Sequence, residues 1–246
     1  MQAVRGVAAH TGNVQFNGYD QNDASEFLYF LLNGWHEACK RPVRMEISGT
    51  GTTEKDKLAL MCYQKLKQTY EKEYSEIMRL FFGIATNKII PGSGDSSADL
   101  FSLLHLPLSS DVMSCLREYT NASRVDGTAS IRQTLFWTMP KYLFIVLSRF
   151  SADGRRKDMR EVAIPLDLDM AEFVSSYNPD KYKYGLMGVI LHMGSIQGGH
   201  YVSVVKSGED WYSCNDTIVV KEDGFEAKLT HPTMTRGAYV LVYKLS

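Results

Sequence analysis

In the first third of the chain, apolar positions recur at helical spacing. Asp20 reads as an N-cap, with Asp23 three residues on as a capping-box-like partner. Ala24, Phe27, Leu28, Leu31, Trp35 and Ala38 then share one helical face until Pro42 ends the run. The S-G-T-G-T-T stretch at 48–53 is a flexible connection that also supplies a cap. From Glu54 the spacing predicts one long amphipathic helix, with Leu58, Met61, Cys62, Leu66, Tyr70, Ile77 and Phe81 on its apolar stripe. Residues 1–18, ahead of both helices, read as an irregular lead-in.

After residue 83 the period changes. I-I-P-G-S-G-D-S-S is a turn-rich stretch between two apolar pieces. Residues 101–108 alternate loosely, as a strand would, and 112–119 suit a short helix containing Cys115. Residues 121–130 form a polar loop, so 83–138 reads as an extended β-rich subdomain. From Met139 strands dominate. Residues 143–150 (L-F-I-V-L-S-R-F) are apolar enough for a central strand buried on both faces. Asp153-Gly154 signals a hairpin whose return strand passes through 161–164 toward Pro165. Residues 184–193 and 237–245 supply further strands. The fold class is α+β, with an antiparallel sheet in the C-terminal half and no internal repeat.

Composition narrows the setting. The chain has 246 residues and a formal net charge of −1, which argues against a nucleic-acid surface built on bulk positive charge. The four cysteines, Cys39, Cys62, Cys115 and Cys214, show no C-x-x-C spacing. That pattern fits a reducing compartment, cytoplasmic or nuclear, better than a disulfide-stapled one. No apolar run approaches a membrane span, and the N-terminus lacks a signal-peptide core.

Chemistry concentrates in residues 194–216, G-S-I-Q-G-G-H-Y-V-S-V-V-K-S-G-E-D-W-Y-S-C-N-D. A glycine-bearing loop delivers His200, a strand follows, and a turn at Ser207-Gly208 brings the chain back through Trp211 and Tyr212. Such a hairpin returns Asn215 to the neighbourhood of His200. An imidazole beside a carboxamide or carboxylate is the base-and-orienter half of a nucleophilic hydrolase. The nucleophile is not evident. Cys39 sits at the negative end of a helix dipole, a poor setting for a thiolate. Cys62 falls on an apolar stripe, and Cys214 should point to the opposite face from Asn215. No serine occupies a G-x-S-x-G elbow and no metal triad is visible. Plainer roles also fit: Asn215-Asp216 as a turn pair, Asp23 and Glu26 as helix-capping carboxylates, Trp211 and Tyr212 as sheet packing, His192 as a satisfied core or loop histidine.

Four blocks in order carry a resemblance: Y-D-Q-N-D-A-S-E-F-L at 19–28, P-K-Y-L-F-I-V-L-S-R-F at 140–150, Y-G-L-M-G-V-I-L-H-M-G-S-I-Q-G-G-H-Y at 184–201, and W-Y-S-C-N-D-T-I-V at 211–219. Together they resemble the ubiquitin-specific proteases. The resemblance implies a papain-like thumb, palm and fingers in one catalytic-type domain: residues 1–82 as an incomplete thumb, 83–138 as fingers and 139–246 as palm. It implies that His200 is the general base, Asn215 the third triad member and Asp216 an adjacent polar helper. Asp23 and Glu26, one helical turn apart and so able to face the same side, match carboxylates that meet arginines near the ubiquitin tail. Gly198 and Gly199 suit a narrow channel for that tail.

Two departures follow. The family's fingertip zinc ligands have no counterpart here, so no metal and no cofactor are expected. The family's nucleophilic Cys starts a helix well before the Gln-rich block, in an Asn-x-Gly-x-x-Cys-type box, and residues 1–18 contain no Cys. The expected function is thiol-dependent hydrolysis at the C-terminal glycine of ubiquitin, in a fragment of an active deubiquitinase. The alternative is an inactive ubiquitin-binding scaffold, and completion by another segment or chain stays open. Ubiquitin or ubiquitinated proteins are the expected partners, with no nucleic acid, no membrane, and a missing N-terminal segment of the same parent protein.

Overall fold

The computed structural model describes residues 2–18, 20–49, 51–90, 96–121, 123–124, 130–151, 153, 155–195 and 198–246. Several expected features lie outside them: the turn at 91–95, most of the polar loop at 121–130, Gly154 of the expected hairpin, and residues 19, 50, 196 and 197.

The lead-in is ordered where irregularity was expected. It holds a helix, α1 (Gln2–His10), and a 3-10 turn over Val14–Phe16. Val4 and Ala8, one turn apart, pack with Phe16 against Phe27, Phe30 and Leu31. A single turn of Val and Ala is too weak a pattern to announce a helix, and its stability comes from that packing. Helix α2 (Ala24–Cys39) is capped by Asp23 rather than Asp20. Its buried residues include Phe30, Leu32 and His36, whereas Trp35 and Ala38 are exposed. The stripe differs from the expected one because α2 touches two bodies. Ala24 and Leu28 lie on the large sheet, while Phe27, Phe30 and Leu31 lie on α1.

The long helix expected from Glu54 is two. α3 (Glu54–Glu73) starts at a full capping box, Thr53 with Asp56. At Tyr74 the backbone turns extended, and Ser75 caps a new helix, α4 (Glu76–Phe81). Tertiary contacts hold the break: Arg41 N–H donates to Tyr74 O at 2.8 Å, and His36 Nδ1 lies 2.7 Å from Ser75 Oγ.

The next segment builds a smaller sheet. β1 (Gly83–Ile90), β2 (Ser96–Phe101), β4 (Ser123–Arg124) and β5 (Ile131–Thr138) form four strands in the order β2-β1-β5-β4. α3 lies on it, with Ala59 and Cys62 against Ile84, Ala98 and Trp137. Residues 101–108 do not make one strand. Ser102 divides β2 from β3 (Leu103–Leu106), which leaves for the other sheet, and α5 (Val112–Thr120) follows as expected.

That larger sheet adds β6 (Tyr142–Leu147), β7 (Asp167–Asp169), β8 (Lys183–Ser195), β9 (Gly198–Ser207), β10 (Asp210–Asn215), β11 (Ile218–Lys221) and, after two short helices α6 (Phe225–Lys228) and α7 (Pro232–Gly237), β12 (Ala238–Leu245). Its order is β11-β10-β9-β8-β12-β6-β3, with β7 on β8. Every pairing is antiparallel except β3 with β6. Alternation on β6 sends Leu143, Ile145 and Leu147 into the main core beside Leu116 and Leu241, and Val146 toward α2. Residues 161–164 form no strand. Val162 donates to Thr235 O, Ala163 donates to Ser110 O, and Ala163 makes only an isolated bridge with Asp111.

Arg149 carries a buried charge in this fabric. Arg149, 1% exposed, donates to the carbonyls of Ala238, Asp158, Arg160 and Thr235. Five guanidinium N–H donors in a fork make such a multiple carbonyl site possible. It ties the start of β12 to the segment after β6. Among the described residues, no helix is long and apolar enough to cross a membrane.

Candidate active site

The β9–β10 hairpin turns at Gly208, whose φ of +63° favours glycine. Its last paired rung is Cys214 opposite Ser203, which leaves His200 and Asn215 beyond it on one face. His200 Nε2 lies 2.6 Å from Asn215 Oδ1, and 3.9 Å from Asp216 Oδ2. With Oδ1 as acceptor, Nε2 carries the proton and Nδ1 keeps its lone pair. Asp216 adopts φ +52°, a conformation aspartate tolerates, and so starts the turn into β11. The His200 side chain is half exposed and that of Asp216 largely so. The site therefore sits at the sheet rim.

Behind His200 the two glycines differ. A β-carbon on Gly199 would stand 2.1 Å from His192 Nε2 and 2.6 Å from Met193 O, so no side chain fits. On Gly198 a β-carbon would meet only Gln21 Oε1, at 3.6 Å, which is ordinary contact. Gln21 also lies 3.4 Å from the Gly199 amide, linking the approach to α2 with the β9 strand.

Asp23 and Glu26 do not act as a pair. Asp23 accepts from the amides of Ser25 and Glu26 and from Tyr239 OH at 2.7 Å, with Tyr201 OH at 3.4 Å. Burial alone would raise its carboxyl pKa; the hydrogen bonds from Ser25, Tyr239 and the amides outweigh it and hold the carboxyl below its ordinary range. Burial, followed by the Asp23 charge, pushes Tyr201 up to about 12. Glu26 is exposed and lines a cleft of about 820 Å³ with Tyr29, Phe30 and His105. Asp23 lines a different cleft of about 580 Å³ with Tyr201, Ser203, Cys214 and Asp216. The expectation that both carboxylates face the same side thus gives way to one turned inward and one outward.

The thiols are dispersed. Cys62 is fully buried, and burial pushes it up to about 12. Cys115 is buried in α5, and burial raises its thiol too, even with the Ser109 amide donating to its sulfur. Cys39 is exposed at the end of α2. Cys214 shares the rung of Ser203, on the opposite side of the strand from Asn215. Trp211 packs on Phe225 and donates to Glu226, the packing role expected of it.

His192 is buried as expected but not satisfied. Its Nδ1 has no hydrogen-bond partner, and its ring lies among Phe150, Tyr201 and Gly199. Gln21, Tyr239 and His192 went unremarked as site components in the sequence. The Q-N-D and A-Y-V-L-V-Y segments that hold Gln21 and Tyr239 were visible, but their meeting across more than two hundred residues was not. Among the described residues, His36, Glu37 and Glu73 bring potential metal ligands within 4.8 Å of one another. Lys40 already pairs with Glu37 there.

A family model described as ubiquitin carboxyl-terminal hydrolase matches residues 7–243. The chain is 30% identical to ubiquitin carboxyl-terminal hydrolase 2 of Bos taurus over 259 residues, covering 94% of this chain and 41% of that protein. The Gallus gallus counterpart is also 30% identical, with 94% and 70% covered. Ubiquitin carboxyl-terminal hydrolase 22 of Bos taurus is 26% identical, with 83% and 48% covered. The chain thus spans about two fifths of the bovine, human and rat forms of the first relative (41%, 42% and 41%). Among solved structures, the SAGA DUB module Ubp8/Sgf11/Sus1/Sgf73 bound to monoubiquitin superposes with a TM-score of 0.73 at 23% identity, covering 97% of this chain and 51% of that one. At that identity the likeness concerns the fold.

Proposed function

This chain belongs to the ubiquitin carboxyl-terminal hydrolase family, a family of cysteine deubiquitinases, and on that premise we propose that it is a ubiquitin-recognising domain holding the base and orienter of a thiol hydrolase. The observation that carries the reading is the 2.6 Å contact between His200 Nε2 and Asn215 Oδ1. It leaves Nδ1 as the lone pair that would take a thiol proton, with Asp216 as an adjacent polar helper. The thiolate would attack the carbonyl of ubiquitin's terminal glycine, the lysine amine would leave, and water would release the acyl group.

The thiol itself comes from outside these 246 residues. In support, Cys62 and Cys115 are buried with raised pKa, Cys214 sits across its strand from Asn215, and residues 1–18 have none. A cleft lined by Tyr201, Cys214, Asp216 and the start of α2 lies beside the hairpin that carries His200 and Asn215. The same facts favour a second reading, a ubiquitin-binding scaffold without chemistry of its own.

Glu26, Gly198 and Gly199 are assigned to the ubiquitin tail, Glu26 as an acceptor for its arginines; Asp23 serves by holding the start of α2. Residues 1–82 correspond to thumb, 83–138 to fingers and 139–246 to palm, with β3 lent by the finger segment to the palm sheet. Four free cysteines agree with a cytoplasmic or nuclear setting.

The test is ubiquitin binding by calorimetry, together with a ubiquitin probe bearing a thiol-reactive C-terminus. Binding without a covalent adduct is expected. Absence of binding overturns the ubiquitin reading, and an adduct on any of the chain's own cysteines overturns the external thiol.

A further inference from the structure

Among the described residues β11 is the free edge of the large sheet, and Ile218, Val219 and Val220 on it are 62%, 61% and 51% exposed. Exposed apolar side chains are ordinary singly. Three in succession on an unpaired edge strand are what soluble proteins usually blunt with charge, proline or a cover.

The backbone there is also presented. β11 pairs with β10 from Asn215 opposite Ile218 to Tyr212 opposite Lys221, and the next residue, Glu222, donates its N–H to Trp211 O at 2.8 Å. Hydrogen-bonded rungs alternate along an antiparallel ladder. Ile218 and Val220 share the phase of Glu222 and face β10. Val219 and Lys221 therefore turn N–H and C=O outward, a template for an added strand.

Sheet order tells which part of a substrate could reach it. β8 lies on one side of β9, the strand that carries Gly198, Gly199 and His200, and β10 and β11 lie on the other, while Gln21 at the approach to α2 meets the Gly199 amide. If the ubiquitin tail enters over Gly198 and Gly199, the polypeptide beyond the scissile bond leaves toward β11. We propose that β11 docks, by strand addition, the extended segment that carries the ubiquitinated lysine. The proposal rests on the ubiquitin reading above.

Charge agrees with that occupant. Lys221 is paired with Asp210 and Lys228 with Glu222, whereas Glu209, Asp216 and Asp223 present exposed carboxylates around the strand. The rim thus suits an apolar segment with further cationic side chains beside the modified lysine, whose own amine is a neutral amide in the conjugate. A second copy of the chain fits less well, because a four-residue strand offers far less than the roughly 1,000 Å² of total burial that a specific dimer needs.

The probes are ubiquitin alone and ubiquitin joined through its C-terminal glycine to the lysine of a short valine-rich peptide, titrated against the full 246-residue chain. The conjugate should bind about tenfold tighter than ubiquitin alone. Val219→Pro removes an outward N–H without touching β10 and should abolish that preference while leaving ubiquitin affinity unchanged. Val219→Lys should act likewise if the proline variant folds poorly. Amide exchange should show Val219 and Lys221 newly protected by the conjugate but not by ubiquitin. Equal affinity of the two ligands overturns the docking edge and leaves the ubiquitin reading standing. A preference that survives both variants places the contact elsewhere and overturns it as well. Protection of Val219 that grows with chain concentration, without ligand, assigns the edge to a second copy. Binding of neither ligand removes the ubiquitin reading and this proposal with it.

Discussion

Gly199 lies against the ring of His192 with no room for a β-carbon between them. His192 stands on β8 opposite Tyr201, and Met193 stands opposite His200, so the ring is a floor under the strand that carries the candidate base. Gly199→Ala should therefore force β9 off β8, at about 1–3 kcal/mol for overpacking. Thermal melting should show this loss, together with weakened ubiquitin binding. Gly198→Ala, which meets only Gln21 at 3.6 Å, should melt close to the parent.

The same ring sets a pH dependence. Burial first, and then the Lys157 ammonium, lowers the His192 pKa below its ordinary 6.5, opposed by Asp23. The folded chain thus keeps His192 neutral while the unfolded chain takes up a proton. Above about 6.5 both forms are neutral and nothing is lost; below it the unfolded state gains protons and stability falls. Burial lowers His105 in the same direction. Just below pH 6.5 carboxylates remain ionised, so the slope there belongs to histidine. His192→Phe should flatten part of the decline in melting temperature on acidification; an unchanged slope would assign it to other groups.

The first-turn carboxylates of α2 should separate by assay. Asp23→Ala removes a helix cap worth about 1 kcal/mol and leaves the Tyr239 hydroxyl with only Ser25 Oγ, at 3.2 Å, so the melting temperature should drop. Asp23→Asn keeps a good cap and should be milder. Glu26→Gln should leave stability alone and weaken ubiquitin binding by roughly 1.5–3 kcal/mol if it holds an arginine.

The tautomer of His200 can be read without catalysis. Nitrogen-15 correlation spectra at neutral pH should place the proton on Nε2 and leave Nδ1 bare. Asn215→Ala should remove that preference, and a Nδ1–H form in the parent would contradict the assigned role.

Alkylation maps the thiols. At neutral pH a small iodoacetamide pulse should modify Cys39 and spare Cys62 and Cys115 until denaturant is added. Mass spectrometry of the digests distinguishes these outcomes.

Much of the site was legible because it is local. The β9–β10 hairpin is specified by Gly208 and by alternating β-branched residues, and that alone brings Asn215 to His200. The α+β class and the family resemblance, carried by four ordered blocks, agree with the family match and the shared fold. What escaped was set by distant partners. α1 forms because α2 offers Phe27 and Phe30. The break at Tyr74 is held by Arg41 and His36. Residues 161–164 pair with Thr235 and Ser110 rather than with a hairpin mate. Asp23, expected as a helix-capping carboxylate as well as a match to ones that meet ubiquitin's arginines, does cap α2, but its bond to Tyr239, 216 residues away, had no signal in the sequence.

The strand β12 runs between β8 and β6, so the middle of the sheet is the portion translated last. A nascent chain emerging from the ribosome can form the β8–β11 hairpins on one flank and the parallel β3–β6 pair on the other, but cannot join them. Until residues 238–245 clear the exit tunnel, both flanks wait with open sides, the state in which chaperone capture or mispairing would be decided. Shortening this strand should therefore damage solubility far more than an equal cut in β11.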